Sequence, residues 1–148
     1  MTNPLEGLDD KLIEHLASIR LAVFDVDGVL TDGRVAYVGE EELQTFDVKD
    51  GQGLAWLSQA SIELAWITGR GCRATEVRAA EFGVHLHMRS GPKQERLEAV
   101  QEELGIGPGQ TLAMGDDLAD LALASRAQVF CCPADARPEV RAAAHLVC

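Results

Sequence analysis

The stretch that most constrains this chain is LAVFDVDGVLTDG, residues 21–33. Its first four residues form an apolar run that predicts a buried parallel strand, and acidic residues and glycine follow at once. Because side chains alternate along an extended backbone, Asp25 and Asp27 point to the same side. Two carboxylates at the end of a buried strand are costly unless a cation such as Mg²⁺ neutralises them. The stretch therefore predicts a metal site with Asp25 as a candidate nucleophile and Asp27 as a candidate acid and base; the alternative is an acidic turn without a metal.

Length, charge and cysteine content narrow the class of protein. The chain has 148 residues, which predicts one domain over residues 1–148. Its formal net charge of −11 argues against nucleic acid or an anionic membrane as partner. No apolar run is long enough to span a bilayer and no signal-peptide pattern opens the chain, so we expect a cytoplasmic protein. The four cysteines include no CxxC spacing and are expected to be reduced.

The rest of the chain alternates predicted helices and strands. Helices are expected over 5–20, 53–60, 72–82, 93–104, 117–125 and 138–144. Strands are expected over 21–24, 61–67, 84–88, 111–114, 128–131 and 145–148. A β-hairpin is expected over 34–48 with its loop at 39–42, and it either flanks the site or is mere decoration. Trp56 and Trp66 lie in apolar segments and are predicted to be core. The order predicts an α/β fold: a Rossmann-like parallel sheet in three layers, with a hairpin flap.

Polar motifs recur where the other predicted strands end. Thr68-Gly69-Arg70 follows the strand 61–67, and a hydroxyl followed by a helix start can bind phosphate oxygens. Lys93 begins the helix after the strand 84–88, and Asp116 adds a third carboxylate after the strand 111–114. Carboxyl ends of parallel strands share one edge, so these side chains are expected to converge there.

Together these motifs resemble those of the haloacid dehalogenase superfamily. DVDGVLTDG, residues 25–33, matches its first motif, Thr68 the second, Lys93 the third and GDDLAD, residues 115–120, the fourth. The resemblance implies a Mg²⁺-dependent phosphatase in which Thr68 and Lys93 hold the phosphoryl oxygens.

The same resemblance implies a role for each acid. Asp25 would form an aspartyl-phosphate, while Asp27 would protonate the leaving alcohol and then activate water. Mg²⁺ would lie between Asp25, Asp116 and the backbone carbonyl of Asp27. Whether Asp117 or Asp120 supports Asp116 stays open.

A closer resemblance concerns substrate and assembly. The gaps from Asp25 to Thr68 and from Thr68 to Lys93 leave no room for a cap domain. The missing wall of the site therefore has to come from the hairpin and a neighbouring subunit, unless the enzyme acts on a large substrate at an open site. FDVKDG, residues 46–51, with ITGR and GDDL, resembles the capless ulosonate phosphatases. That resemblance implies an ulosonate sugar phosphate, such as 3-deoxy-D-manno-octulosonate 8-phosphate, and a homotetramer in which one subunit covers another's site. The substrate-binding residues it implies are Asp27, Asp47, Val48, Lys49, Asp50, Gly51, Arg70, Arg78 and Lys93.

Two departures from that pattern leave alternatives open. Ala55 stands where the octulosonate phosphatases often have a basic residue, and they continue into a glycine-rich tail where this chain stops at Cys148. One alternative is a phosphatase for another sugar phosphate, such as a nine-carbon ulosonate, although Arg70 favours the octulosonate type. The other is a non-catalytic regulatory module, against which the intact motifs argue. Arg70 and Arg78 lie on or beside one predicted helix and could converge on one carboxylate; otherwise they form a solvated basic face.

Overall fold

A six-stranded parallel sheet forms the centre of the computed structural model, which describes residues 6–148. Its strands are β1 (Leu21–Phe24), β4 (Glu63–Thr68), β5 (His85–Met88), β6 (Thr111–Met114), β7 (Val129–Cys132) and β8 (Leu146–Val147). The helices are α1 (Asp10–Ala17), α2 (Val48–Gln59), α3 (Arg73–Glu81), α4 (Lys93–Leu104), α5 (Leu121–Ala124) and α6 (Pro138–Ala143). The strand order β5-β4-β1-β6-β7-β8 confirms the predicted Rossmann-like α/β fold.

Strand β1 lies at the centre and is buried on both faces. Its residues pair in parallel with β4 on one side and β6 on the other, with Leu21 opposite both Glu63 and Thr111. Val23 packs into one hydrophobic cluster and Phe24 into another, as alternation along a strand requires. The carboxyl ends of β4 and β6 therefore lie directly beside that of β1, where the acidic motif begins.

Helices cover both faces and give the predicted three layers. One cluster joins β1 to apolar residues of α4, α5 and α6, among them Leu97, Leu123 and Val140. The opposite face is covered by α2 and α3 through Leu54 and Ala79, and by α1. Fully burying each large apolar side chain contributes about 1.5–3 kcal/mol. Packing on both faces thus stabilises the sheet whose carboxyl edge carries the acidic motif.

The predicted hairpin is present, with short strands. Strands β2 (Ala36–Val38) and β3 (Glu41–Leu43) pair antiparallel and turn at Gly39 and Glu40. The predicted second strand, 43–48, is wrong over most of its length, since β3 ends at Leu43 and α2 begins at Val48. The cause is Asp47, whose side chain accepts a hydrogen bond from the Lys49 N–H and starts the helix five residues earlier than predicted.

Two further predictions need correction. The first helix runs over Asp10–Ala17 and not 5–20, because Asp9 caps it through the Leu12 N–H; Leu5 lies outside the described residues. Trp66 is fully buried as predicted, but 64% of Trp56 is exposed. Trp56 lies about 200° around α2 from the buried Leu54, so it faces away from the sheet.

Within residues 6–148 the longest helices have 12 residues, and none is long and apolar enough to span a bilayer. The predictions of one domain and of a cytoplasmic location stay predictions.

Candidate active site

Four elements deliver polar side chains to one cavity of about 310 Å³ at the carboxyl edge of the sheet. Strands β1, β4 and β6 end beside it, and α4 begins there. The charged and hydroxyl-bearing residues that line it are Asp25, Asp27, Thr68, Arg70, Lys93, Asp116, Asp117 and Asp120. The structure thus brings together the residues predicted to be catalytic or metal-binding.

A buried lysine joins two carboxylates on the floor of the cavity. Lys93 Nζ donates to Asp25 Oδ1 over 2.7 Å and to Asp120 Oδ1 over 2.5 Å, and none of the three side chains is more than 9% exposed. Burial, and then the nearby Asp120 charge, raise the pKa of Asp25 to about 7 although Lys93 opposes the shift. Burial works to lower the pKa of Lys93, but the two carboxylates outweigh it and raise that pKa. Lys93 therefore stays charged beside the candidate nucleophile.

Asp120 supports the loop that carries Asp116. Its Oδ2 accepts hydrogen bonds from the Asp116 N–H over 3.0 Å and the Asp117 N–H over 3.1 Å. Gly115 is needed there, because a Cβ at that position would lie 2.1 Å from the Asp120 Cβ. Asp117 lies at the rim instead, where its Oδ1 pairs with Arg137 Nε over 2.7 Å. Of the two acids left open by the sequence, Asp120 is the one in contact with both Lys93 and the Asp116 backbone.

The donor set fits a hard divalent cation. Carboxylate oxygens of Asp25, Asp116 and Asp120 lie within 4.8 Å of one another. Asp116 Oδ1 is buried and has no hydrogen-bond partner among residues 6–148, so a cation would satisfy it. Burial, followed by the charges of Asp120 and Asp117, raises the pKa of Asp116 to about 6. The cluster indicates a divalent metal site. Two of the predicted ligands, Asp25 and Asp116, belong to it. Asp27 was predicted to contribute a backbone carbonyl, and its carboxylate is not part of the cluster.

The loop between Asp27 and Gly33 is closed by a hydroxyl. Thr31 Oγ1 accepts hydrogen bonds from the Gly28 and Gly33 N–H groups, each over 3.2 Å. Gly28 has φ +88° and lies against Asp116, where a Cβ would come within 2.1 Å of Oδ2. Only glycine permits both this conformation and this approach. The first motif thereby comes close to the loop after β6.

The Asp27 carboxylate is held from two sides. Its Oδ2 lies 3.4 Å from the Thr68 hydroxyl, which also accepts a hydrogen bond from the Arg70 N–H over 3.2 Å. Its Oδ1 accepts a hydrogen bond from Gln44 Nε2 over 3.1 Å. Gln44 is not among the site residues predicted from the sequence. The available signal was its place at the base of a hairpin predicted to flank the site.

The predicted substrate-binding residues fall into two groups. Arg70 lines the cavity, where its Nη2 pairs with Glu42 Oε2 of the hairpin over 3.0 Å. Arg78 does not line it. Arg78 lies over the Phe82 ring, donates to the Asp47 carbonyl over 3.2 Å, and pairs with Glu81 over 2.7 Å.

Residues 47–51 form the start of α2 and likewise do not line the cavity of their own chain. Gly51 makes room for Arg78, since a Cβ there would lie 2.5 Å from its Nη2. One chain therefore does not unite Arg70 with Arg78 or with residues 47–51, and their binding role stays a prediction that requires a second subunit.

Comparisons with known proteins agree with this geometry. The model of the haloacid dehalogenase-like hydrolase family matches residues 77–148. The 3-deoxy-D-manno-octulosonate 8-phosphate phosphatase of Yersinia pestis is 37% identical over 141 residues, which cover 93% of this chain and 75% of that protein.

Solved structures share the fold as well. A hypothetical protein from Xanthomonas campestris superposes with a TM-score of 0.94 at 38% identity, covering 99% of this chain and 81% of that one. The 3-deoxy-D-manno-octulosonate 8-phosphate phosphatase of Moraxella catarrhalis, in complex with magnesium, phosphate and KDO, superposes with a TM-score of 0.90 at 33% identity, covering 94% of this chain and 81% of that one. The chain belongs to the haloacid dehalogenase-like hydrolases and, among them, is similar to the 3-deoxy-D-manno-octulosonate 8-phosphate phosphatases.

Proposed function

We propose that this chain hydrolyses 3-deoxy-D-manno-octulosonate 8-phosphate to the free sugar acid and inorganic phosphate, with Mg²⁺ as cofactor. The observation that carries the proposal is the single cavity in which Asp25, Asp27, Thr68 and Lys93 meet. Relatives named for this reaction, and one solved with magnesium, phosphate and KDO, support the choice of substrate and metal.

The chain's own residues account for both halves of the reaction. Asp25 attacks phosphorus and displaces the sugar alkoxide, to which Asp27 gives its proton. Water then attacks the aspartyl-phosphate and gives a proton to Asp27, so that phosphate leaves and both acids return to their starting state. Lys93 and Thr68 bind phosphoryl oxygens, and the 2.7 Å contact of Lys93 with Asp25 orients the nucleophile.

The metal would be held by Asp25, Asp116 and the Asp27 backbone carbonyl. When bound, it supplies positive charge that offsets the repulsion between the phosphoryl group and the carboxylates. Asp120 supports the site from below through Lys93 and the Asp116 N–H.

We further propose a homotetramer in which a neighbouring subunit completes the binding site for the sugar acid. The hairpin supports this proposal, because Val35, Tyr37, Val38 and Leu43 are exposed apolar residues. In such an assembly Arg70 would bind the substrate carboxylate together with Arg78, Lys49 and the other residues of 47–51 from a second chain. Sedimentation velocity tests the assembly, and a fully active monomer would contradict it.

The test of the activity is phosphate release with Mg²⁺ from an octulosonate 8-phosphate, a nine-carbon ulosonate phosphate and a simple hexose phosphate. We expect the octulosonate to have the highest kcat/KM, and chelation to abolish release. A preference for the nine-carbon substrate would move the assignment to that class. Binding without release from any of the three would favour a regulatory module.

A further inference from the structure

The base of the hairpin contacts the proposed acid and base of the reaction. Gln44 follows β3 and is half-buried, and its Nε2 lies 3.1 Å from Asp27 Oδ1. None of the four sequence motifs of the superfamily includes this residue. A side-chain amide has a donor end and an acceptor end. The orientation of the Gln44 amide therefore determines whether Asp27 faces a hydrogen-bond donor or an acceptor.

The orientation of the Gln44 amide follows from its other neighbours. Thr75 is fully buried in α3, and its Oγ1 accepts a hydrogen bond from the Cys72 N–H over 3.1 Å. The Thr75 hydroxyl hydrogen therefore points elsewhere, and Gln44 Oε1 lies 2.5 Å away as its acceptor. The Cys72 thiol also approaches Oε1, at 3.5 Å. With two donors on Oε1, the NH₂ end has to face Asp27.

We infer that Gln44 is a positioning residue that fixes the orientation of the Asp27 carboxylate. The Gln44 amide donates to Oδ1 over 3.1 Å and the Thr68 hydroxyl donates to Oδ2 over 3.4 Å, so each carboxylate oxygen has its own partner. Without the Gln44 donor, the carboxylate could turn away from Thr68. Because Thr68 is proposed to hold the phosphoryl group, this orientation keeps Oδ2 facing the substrate. This role rests on the proposed function, in which Asp27 is the acid.

Two substitutions of Gln44 distinguish the loss of its hydrogen-bond donor from the loss of its packing. Gln44→Glu keeps the shape and the bond from Thr75 but replaces the donor with a carboxylate that repels Asp27. Gln44→Leu removes both ends of the amide. Thr45→Val, in the next and exposed position of the same hairpin, serves as the matched control.

The readout is the first turnover on two leaving groups. An alkyl phosphate such as the sugar phosphate needs a proton from Asp27 to leave, whereas p-nitrophenolate leaves without one. We expect both Gln44 variants to slow the first turnover of the alkyl substrate by about 10- to 100-fold, part of the 10²- to 10⁴-fold that general acid catalysis supplies. The p-nitrophenolate burst and the KM should stay unchanged, and Thr45→Val should behave like the wild type. Equal losses on both leaving groups, or no loss on either, would overturn the inference.

A second measurement does not depend on activity. In metal-free protein, the ¹⁵N side-chain amide resonance of Gln44, identified by its absence in Gln44→Leu, should shift in both Asp27→Asn and Thr75→Val. If neither substitution moves it, the proposed hydrogen-bond chain does not exist. A wild-type protein that releases phosphate from no substrate would instead reject the proposed function, whatever the resonance shows.

Discussion

The floor of the cavity and the hairpin beside it differ in the burial of their side chains and in the contacts that these side chains make. On the floor, Asp25, Lys93 and Asp120 are almost fully buried and bonded to one another. On the hairpin, Tyr37 is 61% and Val38 65% exposed, although both are apolar enough to be expected in an interior. The polar groups of the floor are satisfied within one chain, whereas the hairpin leaves apolar side chains exposed, and it is this surface that we propose to contact a second subunit.

In the proposed function, the chemistry belongs to the floor, and the hairpin belongs to substrate recognition and assembly. A buried charge that loses its partner is costly, so the floor tolerates little change and keeps its groups in place. Exposed apolar residues cost little in the isolated chain but favour association. We therefore expect substitutions on the floor to abolish activity or stability, and substitutions on the hairpin and α2 to affect assembly and substrate choice.

The largest expected effect is that of Asp25→Asn on activity. An amide cannot attack phosphorus, so kcat should fall by at least about 10³-fold, as for other removed nucleophiles. Circular dichroism should show an intact fold, since the amide fits the same space. Phosphate release near the wild-type rate by a preparation free of wild-type enzyme would remove Asp25 as the nucleophile.

The free energies of unfolding of two variants, one on the floor and one on the hairpin, test the difference between these regions most directly. Lys93→Met leaves Asp25 and Asp120 buried without their cation and should lower the free energy of unfolding by about 3–5 kcal/mol. Val38→Ser, on the exposed hairpin, should change it by no more than about 0.5 kcal/mol in the monomer. Urea unfolding of both variants measures the two values. Similar losses in both would contradict the distinction between floor and hairpin.

The stability of the acidic cluster, in which Asp116 joins Asp25 and Asp120, should also respond to pH and metal together. The folded pKa values of Asp25 and Asp116, about 7 and about 6, lie above their ordinary value of 3.8. The metal-free folded state therefore retains protons that the unfolded chain has released, and its stability should fall as the pH rises from about 4 to about 7. We expect Mg²⁺ to bind the ionised acids, so it should raise Tm more at pH 8 than at pH 5. An equal Tm increase at both pH values would contradict metal binding at these carboxylates, and Asp116→Asn should weaken the pH dependence.

A smaller effect is expected where α3 meets the start of α2. Arg78→Ala removes the contacts with the Phe82 ring and the Asp47 carbonyl, which should cost about 1–2 kcal/mol of stability in the single chain. If the neighbouring subunit also uses Arg78, KM for the carboxylate-bearing substrate should rise while hydrolysis of a small aryl phosphate continues. Equal losses on both substrates would restrict Arg78 to its contacts within the chain. Arg73→Ala, an exposed arginine of the same helix, is the matched control.

The smallest effect concerns fluorescence. Trp56 is exposed and Trp66 is fully buried, so iodide should quench only part of the emission of a monomer. Trp56→Phe should leave an unquenched signal from Trp66 and change stability by no more than about 0.5 kcal/mol. If Trp56 resists quenching in the assembled protein and becomes accessible on dilution, α2 lies in the subunit interface.

Local patterns in the sequence predicted much of the fold and of the candidate site. The predicted bounds of β1, β6 and α4 agree with the structure residue for residue, because each is an apolar or periodic run ended by glycine, proline or charge. Asp25, Thr68 and Asp116 could be placed together since each lies at or just after the carboxyl end of a strand of one parallel sheet. The family relation, also predicted, is confirmed.

What the sequence by itself determined, then, was the order of the elements and the edge at which the polar groups meet, since both depend on short-range periodicity. Only the tertiary structure decided which face of α2 is buried, and so left Trp56 exposed. It also decided that Asp120, not Asp117, contacts Lys93, and that Gln44 reaches Asp27. These contacts join residues far apart in sequence, and their geometry depends on how the hairpin, α3 and the loop after β6 pack around the sheet edge.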